Sequence, residues 1–364
     1  MKRTSIRRAA LPGIAALTLG LVLTACGDDD SNSGVENADS LSGNVAGGGA
    51  SSQGSAMEAW IAGFTEVAPD VTVTYDPVGS GGGREGFTSG GFAFAGSDAA
   101  LEPEEIEAAN EQCGGGFAEF PAYISPIAIA YNLPGVDSLN LSPSVTAQIF
   151  DGKITEWDDA AIADLNPDAD LPSSTITTVH RSDESGTTEN FVDYLAKAAP
   201  EDWAYEVDGN WPGEGGVASP QNQGVAQSLS STEGSIGYID ASLAGDLGVA
   251  AVQVGEEFVE YSPEASAAAV DAATPAEGRP EGSFAIDLPR DTAEAGVYPI
   301  VLVSYQLACN TYDDAETADL VKAFYSYVNS EDGQAAAADF AGSAPISDTA
   351  RENAQGLIDN ITGG

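Results

Sequence analysis

Short β-like runs alternate with helical segments along this chain, and loops rich in glycine and serine join them. Val71–Tyr75 alternates apolar and polar residues as a strand does, whereas the apolar residues of Met57–Val67 recur at helical spacing. The same order returns at Thr175–His180, a predicted strand, and Thr188–Ala198, a predicted helix. Strands that alternate with helices favour an α/β fold with largely parallel sheets. Further strands are predicted at Phe92–Ala95, Ile127–Tyr131 and Pro299–Tyr305, and further helices near Arg84 and at Val145–Phe150 and Ala315–Val328.

Residues 1–25 have the parts of a secretory signal peptide. Four basic residues lie within residues 1–8, and an apolar run, Ala9–Ala25, follows them. The run is too short and too interrupted by glycine to span a membrane, which takes about 20 apolar residues. It leads into Leu23–Cys26, which resembles the bacterial lipobox, so we expect Cys26 to be acylated, for example with palmitate. An ordinary signal peptide with a chance cysteine is the alternative.

Residues 26–42 are predicted to form a flexible tether. They are rich in Gly, Ser, Asp and Asn and almost devoid of apolar side chains, so they bury too little surface to fold. No later segment has the pattern of a second membrane span. We therefore expect an exported protein that its lipid holds on the outer face of the cell membrane.

The acidic composition excludes some partners and cofactors. The formal net charge is −45 and the acids are spread along the chain, so nucleic acid is a poor partner. A single histidine, His180, leaves too few ligands for zinc and similar metal sites, and no cofactor is predicted. We interpret His180 as structural. Packing roles are predicted for Trp157, Trp203, Trp211, Tyr131 and Tyr238.

Two cysteines remain once Cys26 is assigned to the lipid. Cys113 and Cys309 lie far apart in the sequence, and an oxidising compartment favours a disulfide between them. Such a bridge would join the early and late parts of the chain. Two buried free thiols are the alternative.

Three loops share one design, in which small polar residues follow a strand and precede a helix. They are Gly47–Ser52, Gly79–Gly83 and Ser185–Thr187. The first N–H groups of a helix are unpaired and carry partial positive charge, so each loop is a potential anion site. Any one of them alone would indicate only a helix cap. Three of them, with an arginine and an aspartate nearby, predict a binding site for an oxyanion.

Five segments resemble the phosphate-binding protein of the bacterial phosphate ABC importer, and the similarity runs from about Ser42 to the C-terminal helices. The pairing of the Asp-Gly-Lys-Ile-x-x-Trp and Arg-x-Asp-x-Ser-Gly-Thr patterns is specific to that family. The five segments are Gly79–Gly82, Gly96–Asp98, Ile149–Trp157, Arg181–Thr187 and Gly234–Tyr238.

The resemblance implies a type II periplasmic-binding-protein fold, with two α/β domains joined by a two-strand hinge and a ligand cleft between them. Domain 1 would comprise residues 43–125 and 300–364, and domain 2 residues 126–299, with crossings near Ser125 and Pro299. Dehydrated phosphate would lie in the cleft, and Asp183 would pair with the arginine of the site. The implied phosphate ligands are Ser51, Ser52, Ser80, Asp98, Arg181, Ser185, Gly186 and Thr187.

The chemistry of these residue types agrees with those roles. Arg181 offers a planar fork of donors suited to a tetrahedral oxyanion. Asp98 can only accept hydrogen bonds when ionised, so it suits hydrogen phosphate, which keeps a proton near neutral pH, and not sulfate. Ser52 departs from the family, which often has an aromatic residue there. That position contributes mainly a backbone N–H, so we expect binding to survive.

The sequence therefore predicts a monomeric binding protein, not an enzyme, that captures inorganic phosphate and delivers it to the membrane permease subunits of an ABC importer. A secreted hydrolase with Ser185 as nucleophile is one alternative, but no Gly-x-Ser-x-Gly turn surrounds that serine. A receptor for sulfate or molybdate and a surface lipoprotein without a ligand are the others.

Overall fold

The computed structural model of the protein describes residues 33–364. The predicted signal peptide, the acylation site at Cys26 and residues 26–32 of the predicted tether lie outside this range. Among the described residues, no helix is both long enough and apolar enough to cross a membrane.

Residues 33–42, which belong to the predicted tether, contact the folded domain. Ser33 is buried, and Ala38–Ser40 forms a short 3-10 helix. Val35, Ala38 and Leu41 pack at the edge of the core. The described part of the segment is therefore packed rather than free, because its few apolar side chains are spaced to reach the same surface.

The helices are mostly short and separated by strands. They are α1 Gly54–Val67, α2 Ser80–Thr88, α3 Pro103–Gln112, α4 Pro143–Phe150, α5 Ala160–Ala163, α6 Gly186–Ala198, α7 Gln221–Ser231, α8 Pro263–Asp271, α9 Ala315–Asn329, α10 Glu331–Ala341 and α11 Asp348–Asp359. A second 3-10 helix spans Ala241–Leu243.

Sixteen strands accompany them in the described range. They are β1 Gly43–Gly49, β2 Val71–Asp76, β3 Phe94–Ser97, β4 Phe117–Asn132, β5 Asn140–Leu141, β6 Thr177–Arg181, β7 Val217–Ser219, β8 Ser235–Asp240, β9 Gly248–Val249, β10 Ala251–Val254, β11 Glu257–Val259, β12 Thr274–Pro275, β13 Ile286–Asp287, β14 Val301–Cys309, β15 Thr311–Tyr312 and β16 Thr362–Gly363.

The main sheet has nine strands in the order β2-β1-β3-β14-β4-β8-β6-β7, with β9 also paired to β4. The long strand β4 takes part in both halves of this sheet. Its residues 117–126 pair with β14, and its residues 127–132 pair with β8. We call β2, β1, β3, β14 and residues 117–126 the first half-sheet. Residues 127–132 with β8, β9, β6 and β7 form the second half-sheet. The chain thus changes halves between Pro126 and Ile127 and re-enters the first half at Val301; the division into two domains remains a prediction.

The sheet is mixed, so the expectation of largely parallel pairing was only partly correct. Strand β1 pairs in parallel with β2 and β3, and β6 pairs in parallel with β7 and β8. The central strands β4 and β14 are antiparallel to each other and to their outer neighbours. They run in opposite directions because one carries the chain out of the first half-sheet and the other brings it back.

Strand β1 was missed by sequence reasoning, which placed Gly47–Gly49 in a loop. Its glycines look unsuited to a strand, but the space beside them is filled: a Cβ on Gly47 would lie 2.4 Å from the Phe94 ring. Gly49 has φ +146°, and a Cβ there would lie 1.9 Å from the Gly96 carbonyl oxygen. These glycines let neighbouring backbones approach closely. Helices α2 and α6 also begin earlier than predicted. Helix α2 begins at Ser80 and not near Arg84, and α6 begins at Gly186 and not at Thr188.

Four of the five aromatic residues predicted to serve packing are buried in the core, and Trp211 is partly buried against it. Trp157 is fully buried, and its indole N–H donates to the Gly234 carbonyl at 3.0 Å. Trp203 and Tyr131 are buried as well, and Tyr131 packs against Trp157. These contacts show that two of the family-like segments, Ile149–Trp157 and Gly234–Tyr238, pack against each other.

The predicted disulfide between Cys113 and Cys309 is present, which excludes the alternative of two free thiols. Cys113 follows α3, and Cys309 ends β14 opposite Phe117. Both half-cystines are buried in a small cluster beside Phe87 and Leu307. The bridge therefore lies within the part of the molecule built on the first half-sheet.

Replacing both Cys113 and Cys309 by serine is expected to lower the free energy of unfolding by about 2–5 kcal/mol. The bridge closes a loop across a sequence separation of 196 residues, so its loss frees a long stretch of the unfolded chain. Urea denaturation of the variant and the parent protein, both lacking Cys26, measures the difference. Coincident unfolding midpoints would contradict this expectation.

Candidate functional site

The N-termini of four helices lie close together between the two halves of the molecule. The loops after β1, β2 and β6 lead to the starts of α1, α2 and α6, and the end of β3 and the start of α7 lie beside them. The N-cap side chains of α1 and α2 make no capping hydrogen bond in the described structure, whereas Asp183 Oδ1 and Ser51 Oγ accept the first two N–H groups of α7. Helix N-termini carry partial positive charge and free N–H donors, so this arrangement favours an anion.

All eight predicted ligand residues converge at this point and are buried. The two halves approach closely at Gly186, where a Cβ would lie 2.5 Å from the Asp98 Cβ and 2.7 Å from the Ser80 Oγ. Only glycine allows the start of α6 to come so near to the end of β3. The buried set is Ser51, Ser52, Ser80, Asp98, Arg181, Ser185, Gly186 and Thr187.

Arg181 ends β6 and is held by a carboxylate. Its Nε donates to Asp183 Oδ1 at 2.8 Å, and its Nη2 donates to Asp183 Oδ2. Burial raises the pKa of Asp183, but the hydrogen bonds and charge of Arg181 outweigh burial and leave that pKa lowered. Asp183 is thus ionised at neutral pH, and the guanidinium N–H groups of Arg181 that do not serve it can serve a ligand.

The backbone of Arg181 is also fixed. Its N–H donates to the Tyr238 Oη at 3.2 Å, and that hydroxyl also shares a hydrogen bond with Thr188 at 2.8 Å. The Tyr238 ring stacks on Phe191, with the centroids 4.5 Å apart. Tyr238 therefore packs as predicted and, in addition, joins the end of β6 to the first turn of α6.

Asp98 is the only carboxylate among the eight, and its oxygens accept several hydrogen bonds. Ser52 Oγ lies 2.7 and 2.6 Å from the two carboxylate oxygens, and Ser304 Oγ donates to Oδ1 at 2.6 Å. Thr187 Oγ1 lies 3.4 Å from Oδ2. Burial raises the pKa of Asp98, while the hydrogen bonds from Ser304 and Ser52 and the charge of Arg181 oppose that rise. The site therefore surrounds one acceptor with donors.

Sequence reasoning missed the chain of amides behind Asp98. Gln306 Nε2 donates to Gln53 Oε1 at 2.7 Å, and Gln53 Nε2 donates to Ser304 Oγ, which donates to Asp98. Each donor direction is set by the one before it, so Ser304 presents its proton to the carboxylate. The available signal was two polar residues, Ser304 and Gln306, within the apolar run of β14.

His180 and Ser185 have structural partners. The His180 ring stacks on Trp211 with the centroids 5.2 Å apart, and its nitrogens contact the carbonyls of Arg181 and Gly215. Ser185 Oγ caps α6 by accepting the N–H of Thr188 at 3.2 Å. This geometry places the imidazole against backbone oxygens and not against the serine, as the structural interpretation of His180 predicted.

A second arginine, Arg84 on α2, links the two sides of the site. Its Nε donates to Glu105 at 2.9 Å, and its Nη2 pairs with Glu184 at 2.7 Å. Arg84 and Glu105 belong to the part built on the first half-sheet, whereas Glu184 lies in the loop after β6. The Arg84 side chain is 5% exposed, so this ion pair is shielded from water on one side.

Comparison with known proteins places this chain in a family. The sequence profile described as "PBP superfamily domain" matches residues 34–332. Phosphate-binding protein PstS 3 of Mycobacterium leprae is 36% identical over 332 residues, which are 85% of this chain and 88% of that protein. Phosphate-binding protein PstS 2 of Mycobacterium tuberculosis is also 36% identical, over 87% of this chain and 88% of its own. The chain belongs to the PstS family of phosphate-binding proteins.

Solved structures agree on the fold. A high-affinity periplasmic phosphate-binding protein, PfluDING, solved with bound phosphate, superposes with a TM-score of 0.69 at 22% identity over 86% of this chain and 93% of that one. A phosphate ABC transporter substrate-binding protein from Clostridium perfringens, also solved with phosphate, gives 0.61 at 21% identity, over 84% and 100%. The PstS chain described here therefore has the periplasmic-binding-protein fold that its motifs predicted.

PstS membership also removes the hydrolase alternative, because the family consists of binding proteins and not of enzymes.

Ser52, where the family often has an aromatic residue, contacts a proposed phosphate ligand. Ser52, at a position expected to contribute mainly a backbone N–H, directs its hydroxyl at the Asp98 carboxylate. A side chain without a polar atom, such as phenylalanine, could not make that hydrogen bond, so Ser52 adds a donor to Asp98.

Proposed function

We propose that this protein binds inorganic phosphate outside the cytoplasm and delivers it to an ABC-type phosphate importer. The observation that carries the proposal is Asp98, a buried acceptor enclosed by hydroxyl donors, Arg181 and helix N-termini. Such a site suits an anion that still bears a proton. The names of the curated relatives and of the solved neighbours support phosphate as that anion.

The eight residues predicted from the resemblance are the proposed ligands, each with a distinct chemical role. Arg181, held by Asp183, neutralises charge on the anion. Ser51, Ser52, Ser80, Ser185, Gly186 and Thr187 supply hydroxyl and backbone N–H donors. Asp98 accepts a hydrogen bond from the single P–OH group of hydrogen phosphate. This division leaves each phosphate oxygen with a partner.

Phosphate is proposed to stabilise a closed arrangement of two domains that meet at this site. β4 and β14, which connect the two halves, would form the hinge. The permease subunits of the importer would recognise the closed, monomeric protein.

Calorimetric titration with phosphate and, separately, with sulfate tests the proposal. The protein should begin after Cys26 and be stripped of bound ligand by unfolding and refolding. Tight 1:1 binding of phosphate with no heat from sulfate is the expected result. Absence of phosphate binding would refute the assignment, and preferential binding of sulfate or molybdate would transfer it to another oxyanion.

Membrane anchoring through Cys26 is proposed from the lipobox-like sequence. Cells that express the full chain and are fed an alkyne-tagged palmitate should label the protein, and Cys26→Ala should abolish the label. Cys113→Ser serves as the matched cysteine variant and should keep it. Equal labelling of the wild type and Cys26→Ala would contradict the anchor.

Glu184→Gln is expected to weaken phosphate binding about three- to tenfold, mainly through faster dissociation. The substitution removes the ion pair to Arg84 that connects the two sides of the site, a partly exposed contact of about 0.5–1.5 kcal/mol. Stopped-flow release of phosphate measures the effect. Glu105→Gln is the matched control, because it removes the other partner of Arg84 on the same side and should leave the dissociation rate nearly unchanged. Equal effects of the two variants would contradict the interpretation.

A further inference from the structure

Asn222, in the first turn of α7, contacts two of the proposed phosphate ligands. It is fully buried, and its Nδ2 lies 3.2 Å from Ser51 Oγ and 3.1 Å from Thr187 Oγ1. Its backbone N–H donates to the same Ser51 oxygen at 3.1 Å. Ser51 precedes α1 and Thr187 lies in α6, so one amide connects loops from both sides of the site.

The orientation of this amide follows from its fourth contact. Asn222 Oδ1 accepts the backbone N–H of Asp240 at 3.0 Å, and a backbone N–H can only donate. The oxygen must therefore face Asp240, which directs the NH₂ group to the two hydroxyls. Both amide hydrogens are used, one for Ser51 and one for Thr187.

These contacts set the direction of the hydroxyl protons. A hydroxyl has two acceptor positions and one proton. The Ser51 oxygen accepts from both the backbone and the side chain of Asn222, so its acceptor capacity is filled and its proton can only be donated elsewhere. Thr187 Oγ1 accepts one hydrogen bond from Asn222, and its proton faces Asp98 Oδ2 over a long 3.4 Å. That weak contact leaves the proton free to turn to a ligand.

We infer that Asn222 is a positioning residue that orients the hydroxyl protons of Ser51 and Thr187 towards the bound anion. The inference rests on the proposed function. It adds a residue that contacts two of the proposed phosphate-binding side chains and does not contact phosphate itself. A hydroxyl without this constraint can point a lone pair at the anion, which is repulsive. Asn222 removes that option at two positions, because an amide NH₂ and a backbone N–H donate and do not accept.

The first test is Asn222→Asp, which keeps the shape and replaces the donor with an acceptor. An ionised carboxylate draws the Ser51 and Thr187 protons to itself and adds negative charge beside the anion. At pH 8 the phosphate Kd should rise roughly a hundredfold or more, since charged groups contribute more than neutral ones. The loss should shrink as the pH falls and the new carboxyl is protonated, because a neutral carboxyl can donate again. Asn353→Asp, an exposed change of equal charge on α11, should leave Kd unaltered.

The second test is a double-mutant cycle with Asn222→Ala and Ser51→Ala, read by calorimetry with phosphate. If Asn222 acts through the Ser51 proton, its removal should cost about tenfold in wild type and less than about threefold in the Ser51→Ala background. Additive losses, or a Kd within twofold of wild type for Asn222→Ala, would overturn the inference. If Asn222→Asp fails to fold, as judged by its melting curve, the alanine cycle decides alone. A wild-type protein that does not bind phosphate would instead overturn the proposed function, and this inference with it.

Discussion

Asp98→Asn is expected to let the site bind sulfate while weakening its hold on hydrogen phosphate. In the wild type, a phosphate P–OH would donate to the buried carboxylate. Sulfate has no proton at neutral pH, so one of its oxygens would face an ionised Asp98 with nothing between them. Sites built around a required hydrogen bond reject analogues that lack it by roughly 10⁴- to 10⁵-fold. An asparagine can turn its NH₂ towards sulfate, which removes that rejection.

The surroundings of Asp98 make this substitution informative. Ser304, oriented by Gln53, donates to Oδ1, and Ser52 donates to both oxygens. These donors favour the ionised form, which is the form that accepts a hydrogen bond from phosphate and repels sulfate. Because burial raises the pKa of Asp98, the discrimination should decline as the pH falls through that raised value.

Competition calorimetry at pH 8 compares sulfate and phosphate for the wild type and Asp98→Asn. The matched control is Asp319→Asn, which makes the same charge change at an exposed position of α9 and should alter neither affinity. An Asp98→Asn protein that retains wild-type phosphate affinity and remains silent to sulfate would show that selectivity lies elsewhere.

Arg181→Gln is expected to raise the phosphate Kd by roughly 30- to 5000-fold, the range for truncating one partner of a buried, hydrogen-bonded charge pair. Two of the five guanidinium N–H donors serve Asp183, and the others can serve the anion. Glutamine leaves the carboxylate of Asp183 without its counter-charge beside an incoming anion. Both effects act in the same direction.

The same variant should also change how stability depends on pH. Because the pKa of Asp183 is lowered in the folded protein, its pairing with Arg181 stabilises the fold above the ordinary aspartate pKa. That contribution is lost as the pH falls through the lowered value, and in Arg181→Gln it is missing at every pH. Urea denaturation at pH 7 and pH 3 checks the difference.

Arg351→Gln is the matched control for Arg181→Gln, since it removes an arginine that pairs with Glu331 and Asp348 on the surface. It should change phosphate affinity less than twofold. Equal losses in the two variants would mean that long-range charge, and not the Arg181 fork, determines affinity. Repeating both titrations at high salt separates the two contributions, because salt screens only the long-range part.

Much of the element order could be predicted from local pattern. The alternation in Val71–Tyr75 and the helical spacing in Met57–Val67 correspond to β2 and α1. Strand β1 could not be predicted, because its glycines carry no strand propensity. They are tolerated only because Phe94 and the Gly96 backbone fill the space beside them, and those neighbours come from later in the chain.

For the candidate site, residue types and family-like motifs predict which groups take part. Arg181, Asp183, Asp98 and the glycine- and serine-rich loops are local features, and their chemistry indicates a protonated oxyanion. The pattern is informative because three such loops occur together, and each helix N-terminus presents its own N–H groups wherever it lies. The two cysteines suggested a disulfide for a similar reason, since only their number and compartment were needed.

The tertiary structure alone decided how these groups are aimed. Gln53 and Asn222 are inconspicuous in the sequence, yet they orient the hydroxyls of Ser304 and Ser51 across separations of up to 251 residues. Hydrogen-bond direction depends on which donor meets which acceptor in space, and local sequence does not contain that information. The sequence therefore indicates the chemistry of this protein's site, whereas the tertiary structure determines the direction of its hydrogen bonds. A hydroxyl proton has a fixed direction only when its neighbours are in place.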